Sequence, residues 1–142
     1  ARKFIDELIS DGKALNKFKE LVTAQGGNAN ALEDYTKLPT ARYKIEVTSA
    51  KSGFINKINA FKVAYGCKLL GAGREKKGDP VDLSVGVWLN KKSGKVEQGE
   101  VLYTIYSNDK AKTKQCEEYC TAAFEISESE PSPKTLIYEI VQ

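Results

Sequence analysis

The sequence contains no histidine, and this absence limits the chemistry that its other residues could carry out. Without imidazole, serine–histidine and cysteine–histidine nucleophile pairs, histidine metal sites and histidine acid–base catalysis are excluded from this polypeptide. Any catalysis by this chain would have to use carboxylate, lysine, tyrosine or cysteine side chains.

Cysteine supplies the first candidates. Cys116 and Cys120 are one helical turn apart, a spacing that lets two thiolates share a metal ion. No further soft ligand accompanies them, and both lie on the apolar stripe of a predicted helix, so we expect them in the core and predict no metal site. Cys67 has no imidazole to activate it, and we expect no catalytic role for it.

The segment from Gly71 to Arg74, which reads Gly-Ala-Gly-Arg, is the second candidate. Glycine lets a backbone approach a ligand closely, and the arginine fork fits phosphate or carboxylate. The segment follows a predicted helix instead of leading from a strand into one, so it lacks the setting of known phosphate loops. A helix stop followed by a mobile loop remains the alternative. Asp79 and Asp82 are either solvated loop carboxylates or an acid–base pair.

Helices are predicted at the N-terminus. Apolar residues recur at helical spacing from residue 4 without a capping side chain before them, so we expect the chain to begin inside a helix and to be a fragment of a longer protein. A second helix is predicted from a cap at Asp11 to a stop at Gly26-Gly27, and a loop over 28–39.

Alternating apolar residues predict strands in the remainder of the chain, interrupted by helices. The predicted strands cover 43–47, 54–58, 81–89, 101–106 and 136–141, with turns at 51–53 and between Gly94 and Gly99. The predicted helices are 59–70, capped by Asn59, and one from Lys110 whose apolar stripe includes Phe124. This order predicts an α+β fold in which two N-terminal helices precede a mostly antiparallel sheet system.

Composition excludes several classes of function. The 22 basic and 19 acidic residues are mixed along the chain, which argues against a nucleic-acid partner. No apolar run approaches the length of a membrane span, so we expect no membrane partner. Three cysteines do not form a disulfide framework, which favours a reducing, cytoplasmic location.

Several motifs together resemble the C-terminal third of the pyrimidine-nucleoside phosphorylases, the family that includes thymidine phosphorylase. The motifs are Gly12 to Leu15, Lys17-Phe18, Ala24 to Gly27, Leu38-Pro39, Gly53-Phe54, Leu70 to Arg74, Asp82 to Gly86 and the turn from Gly94 to Leu102. The resemblance implies an α/β-hammerhead with barrel-sandwich-hybrid character. It also implies a helical segment at 1–27 that continues from the large domain of the parent, and a C-terminal domain at 28–142.

The resemblance implies that the parent, as a cytoplasmic homodimer, exchanges the base of a pyrimidine nucleoside for phosphate, with phosphate as co-substrate and no cofactor. The family's phosphate ligands and pyrimidine-binding residues lie in the N-terminal two-thirds. We therefore expect no residue of this chain to touch substrate and predict that the chain alone is inactive, with the N-terminal domains of the parent as its partner. Gly71, Gly73 and Arg74 resemble a loop near the cleft and are predicted to support its closure.

Two alternatives remain. The Gly94 to Leu102 turn also resembles the hairpins of biotinyl and lipoyl carrier domains, although the sequence has no methionine and no Asp-Lys hairpin tip. A stand-alone interaction domain with the same architecture is the other alternative.

Overall fold

The computed structural model describes residues 1–133, 135 and 137–141 and divides the chain into two compact units, Ala1–Pro39 and Thr40–Gln142. The first unit contains helix α1 (Arg2–Ser10), helix α2 (Lys13–Ala24) and two short 3₁₀ turns, Ala29–Leu32 and Tyr35–Lys37. None of these four elements has a buried residue.

The two predicted N-terminal helices are confirmed, and the ends of α2 have identifiable causes. Gly12, with φ of 76°, is the residue before α2, so the predicted cap at Asp11 is wrong by one position. The Asp11 carboxylate nevertheless accepts the backbone N–H of Lys13 at 3.0 Å. The chain leaves the helix through Gly26, whose φ of 79° is the left-handed conformation expected of a helix stop.

The second unit contains two antiparallel three-stranded sheets and two helices. The first sheet has the order β1-β5-β3 and the second has the order β4-β2-β6. The strands are β1 (Tyr43–Thr48), β2 (Gly53–Ile58), β3 (Gly86–Leu89), β4 (Gly94–Val96), β5 (Val101–Ser107) and β6 (Phe124–Ser127). The helices are α3 (Ala60–Cys67) and α4 (Lys110–Thr121). This arrangement confirms the α+β prediction. In the part of the chain that the structure describes, the two sheets are open and form no barrel, and they share one core.

The middle of β5, the central strand of the first sheet, is buried on both faces, because successive residues 102–105 are all buried. Tyr103 and Ile105 of β5 are completely buried. At the edge of the same sheet, Trp88 of β3 pairs with the buried Thr104 of β5 but is itself 64% exposed. The core is completed by Leu102 of the same strand β5 and by residues from the second sheet, the helices and the loops: Ile55, Leu70, Val85, Val96, Cys116 and Cys120.

Several predicted strand boundaries are wrong. The predicted strand 81–89 is restricted to β3, because residues 81–85 form a turn around the Asp82 carboxylate. Phe124 belongs to β6 and not to the helical stripe of α4. The stretches β1 and β2 flank the predicted turn 51–53 but belong to different sheets.

The predicted C-terminal strand is not found in residues 137–141, which have no regular secondary structure, and its first residue, Leu136, lies outside the described residues. In the part of the chain that the structure describes, no helix combines the length and the apolar composition needed to cross a bilayer.

Candidate functional site: the glycine–arginine loop

The loop begins where α3 ends. Asn59 starts the helix by accepting the backbone N–H of Lys62 at 3.1 Å, as its position predicts. Beyond Cys67 the helix widens into a π turn, Lys68–Ala72, in which Gly71 has φ of 109° and ψ of 5°. An L-residue with a side chain rarely adopts this conformation, so glycine at 71 is required by the turn itself.

Gly73 and Arg74 follow in a different conformation. Gly73 is extended, with φ of −141°, and a Cβ built on it would lie 3.4 Å from Cγ of Lys68. This is an ordinary van der Waals contact in an extended backbone, so the turn requires glycine at 71 but not at 73. Arg74 is exposed, and the next residue, Glu75, pairs with Lys68 at 3.8 Å. The structure thus brings the three predicted loop residues together, with the guanidinium on the surface.

The segment after Arg74 closes around an aspartate. One oxygen of the Asp79 carboxylate accepts the backbone N–H groups of Glu75 at 3.2 Å and Lys76 at 3.0 Å. The Asp79 N–H in turn donates to the carbonyl of Lys76 at 3.2 Å. Residues 75–79 therefore form a compact, hydrogen-bonded turn, where the sequence predicts a mobile loop.

Asp82 is also committed to hydrogen bonds. Its Oδ1 accepts the hydroxyl of Ser84 at 2.6 Å and the backbone N–H of Ser84 at 3.0 Å, and its Oδ2 accepts Nδ2 of Asn108 at 2.8 Å. These bonds, first from Ser84 and then from Asn108, hold the pKa of the Asp82 carboxyl below its ordinary value. At neutral pH Asp82 is therefore an ionised acceptor, which is unsuited to act as a general acid.

The cysteines lie in the packing between α3 and α4. Cys116 and Cys120 are completely buried, with their sulfur atoms 3.8 Å apart. The hydrogen bond to Cys120, together with burial, raises the pKa of the Cys116 thiol, and burial raises the pKa of the Cys67 thiol. Neutral thiols are poor nucleophiles and poor metal ligands. Among the described residues, no group of three or more histidine, cysteine, aspartate or glutamate side chains is placed to hold a metal ion.

Sequence reasoning missed Asn108. It directly follows β5 and binds a carboxylate that precedes it by 26 residues. No local sequence pattern connects Asp82 with Asn108. The two side chains meet only because β3, which follows the Asp82 turn, pairs with β5. The assignment of Gly71, Gly73 and Arg74 to closure support stays a prediction.

Comparison with known proteins identifies the second unit. Residues 54–127 match the family model described as the pyrimidine nucleoside phosphorylase C-terminal domain. These residues include the π turn, Arg74, Asp82 and Asn108. The match favours the phosphorylase resemblance over the carrier-domain alternative.

Individual relatives give the same result. The chain is 45% identical over 109 residues to a pyrimidine-nucleoside phosphorylase of Bacillus subtilis, covering 76% of this chain and 25% of that protein. It is 44% identical over 111 residues to the protein of that name from Staphylococcus epidermidis, covering 78% of this chain and 26% of the relative. The chain thus spans about a quarter of the length of these curated relatives. It belongs to the pyrimidine nucleoside phosphorylase C-terminal domain family.

Proposed function

We propose that this chain is the C-terminal part of a pyrimidine-nucleoside phosphorylase, which converts a pyrimidine nucleoside and phosphate into the free base and a pentose 1-phosphate. The observation that carries the proposal is the family match over residues 54–127. The 45% identity to a protein about four times as long as the matched stretch supports it.

The chemistry of this reaction sets requirements that the candidate groups Asp82 and Cys116 do not meet. Attack of phosphate on the anomeric carbon develops oxocarbenium-like charge, so an enzyme must hold an anion below the sugar and stabilise the departing base. The Asp82 carboxylate is occupied by Ser84 and Asn108, and the Cys116 thiol is buried. The groups that contact substrate are therefore proposed to lie on the remainder of the parent, and the isolated chain is proposed to be inactive.

The role proposed for Gly71, Gly73 and Arg74 is support of the closed state of the parent. Domain closure excludes water and assembles the reacting groups, and the segments that meet on closure contribute side chains to the contact. Arg74 is exposed between the π turn Lys68–Ala72 and the hydrogen-bonded turn at 75–79, so its guanidinium is free to make such a contact.

Exposed apolar side chains on the first unit support a partner for this chain. Helices α1 and α2 leave an unusual number of large apolar side chains exposed, namely Phe4, Ile5, Ile9, Leu15, Phe18 and Leu21. Apolar helix faces of this kind are normally covered in the complete protein. The N-terminal domains of the parent are proposed to cover them, in a homodimeric cytoplasmic enzyme. The three free cysteines are in keeping with a reducing compartment.

A phosphorolysis assay tests the proposal. The isolated chain and the longer protein that contains it are each incubated with thymidine or uridine and inorganic phosphate, and the released base is measured. We expect release by the longer protein only, because the proposed substrate-binding groups lie outside this chain. Turnover by the isolated chain would show that reactive groups had been assigned to the wrong part, and an inactive longer protein would remove the proposed activity.

A further inference from the structure

The loop that carries Arg74 is fastened to the first sheet at its C-terminal end. The backbone N–H of Asp82 donates to the carbonyl of Gly71 at 2.9 Å, which joins the two ends of the loop. The Asp82 carboxylate then accepts both donors of Ser84, at 2.6 Å from the hydroxyl and 3.0 Å from the backbone. Residue 82 therefore holds the loop closed and shapes the chain that leads into β3.

Asn108 connects this closed loop to the rest of the sheet. Its Nδ2 donates to Oδ2 of Asp82 and to the hydroxyl oxygen of Ser84, both at 2.8 Å. Its Oδ1 accepts the backbone N–H of Arg42, just before β1, at 2.8 Å. One amide side chain thus links the loop to segments beside the two outer strands of the first sheet.

The position of Asn108 is itself well determined. Ser107, the last residue of β5, is 1% exposed, and Asp109 caps α4 by accepting the N–H groups of Ala111 at 2.8 Å and Lys112 at 3.0 Å. A side chain between a buried strand end and a capped helix has little freedom to move. Asn108 therefore holds Asp82 and Ser84, at the end of the loop, in a fixed position relative to the first sheet.

We infer that Asn108 and Asp82 are positioning residues for phosphorolysis, which act by holding the Arg74 loop in the geometry that supports closure. The inference rests on the proposed function. It differs from a purely structural role in one measurable respect: the effect of these two residues on turnover must pass through Arg74 and disappear when the guanidinium is removed.

Two single substitutions break the link with almost no change in shape. Asn108→Asp keeps an oxygen for the Arg42 N–H but replaces the donor that faces Asp82 by a second carboxylate oxygen. Asp82→Asn places an amide donor against the Asn108 amide donor. Rotating the amide at 82 would turn its donor toward the N–H and hydroxyl donors of Ser84, and rotating the Asn108 amide would turn its donor toward the Arg42 N–H. Combining the two substitutions exchanges donor and acceptor, and restores the link with one hydrogen bond fewer.

The experiment measures kcat/KM for phosphorolysis in the longer protein. Each single substitution is expected to lower kcat/KM about tenfold, since a charge-assisted hydrogen bond is replaced by a repulsive contact. The double exchange is expected to recover activity to within about threefold of the unaltered protein. In an Arg74→Ala background, each single substitution is expected to change kcat/KM by less than about twofold, while it still lowers the melting temperature.

Asp34→Asn is the matched control. Its Oδ1 accepts the N–H of Thr36 at 3.1 Å and the hydroxyl at 2.5 Å, the same two bonds that Asp82 makes with Ser84, but in the first unit. It is expected to leave kcat/KM unchanged. Undiminished effects of the single substitutions in the Arg74→Ala background, or a double exchange as impaired as the singles, would overturn the inference in an active enzyme. An unaltered longer protein without activity would overturn the proposed function, and the inference with it.

Discussion

At the scale of single residues, the aspartates act as backbone acceptors. Asp79, Asp82 and Asp109 each accept at least one backbone N–H in a turn or at a helix start. The backbone N–H groups of Lys112 and Ala111 hold the pKa of the Asp109 carboxyl below its ordinary value. The hydrogen bonds of these three side chains contribute to local conformation.

The Asp109 cap makes the stability of the chain sensitive to acid. Since the folded-state pKa lies below the unfolded value of about 3.9, its stabilising effect is present above that pH and is lost as the pH falls through the folded-state value. Asp109→Asn keeps a capping oxygen without the titration. We expect the unaltered chain to lose more stability than this variant between about pH 7 and about pH 2.5 in urea unfolding.

Equal losses in the unaltered chain and in Asp109→Asn would contradict this assignment. Asp79→Asn is the control variant in the same urea measurement, because it replaces a carboxylate that accepts backbone N–H groups in a turn and not at a helix start.

The residues of the candidate site differ in how far the sequence could predict them. Gly71 is predictable as a helix stop because the requirement for a left-handed residue is local to the turn. The three partners of Asn108 lie 24, 26 and 66 residues away, so its role depends on the pairing of the strands. The pairing of Asp82 with Ser84 is local, but alternating apolar residues on either side favoured a strand over a turn.

At the scale of elements, α3 and α4 pack closely through a glycine. Gly66 of α3 is buried, and a Cβ built on it would lie 2.8 Å from the sulfur of Cys120 and 3.3 Å from the sulfur of Cys116. The nearest backbone atom would be the carbonyl oxygen of Cys116 at 3.4 Å. Contacts this short require a shift of one helix, so the absence of a side chain at 66 sets the distance between the helices.

Gly66→Ala is expected to destabilise the chain by about 1–3 kcal/mol, because overpacking outweighs the higher helix propensity of alanine. Adding Cys120→Ala removes the closest atom and is expected to recover part of the loss. Both variants are measured by chemical denaturation.

Gly86→Ala is the matched control for Gly66→Ala, since a Cβ at Gly86 would meet nothing within 4 Å. If Gly66→Ala is no more destabilising than this control, the close packing of α3 against α4 does not depend on glycine at 66.

The sequence predicted most elements and few of their partners. Both turn glycines, Gly94 with φ of 80° and Gly99 with φ of 85°, adopt the left-handed conformation that their position indicates. Strand β6 was missed because Phe124 continues the helical spacing of α4 through residue 120. The separation of β1 and β2 into different sheets was also not predictable, since a turn signal does not show whether the flanking strands pair.

At the scale of the whole molecule, the two units differ in how they are stabilised. All buried hydrophobic residues belong to the unit Thr40–Gln142, within the part of the chain that the structure describes. Burial of apolar surface is the main stabilising contribution to folding, so this unit contains what it needs to fold. The unit boundary lies at Pro39, whereas the boundary after residue 27 stays a prediction.

Deletion of residues 1–39 is therefore expected to leave the melting temperature of the remainder within about 3 °C of that of the entire chain. The isolated 1–39 peptide is expected to show weak helicity in water, since short helices without a core are marginal. Circular dichroism measures both quantities. A large fall in the melting temperature on deletion would show that the first unit stabilises the second.

The outward position of Trp88 has a spectroscopic consequence. It is the sole tryptophan of the sequence, and its indole is 64% exposed on β3, directly after the turn that Asp82 organises. The tryptophan fluorescence of the chain, excited selectively over that of its seven tyrosines, therefore comes from one water-facing ring, which iodide can quench. A blue-shifted, iodide-resistant emission in the longer protein would show without any label that another surface covers this face of the sheet.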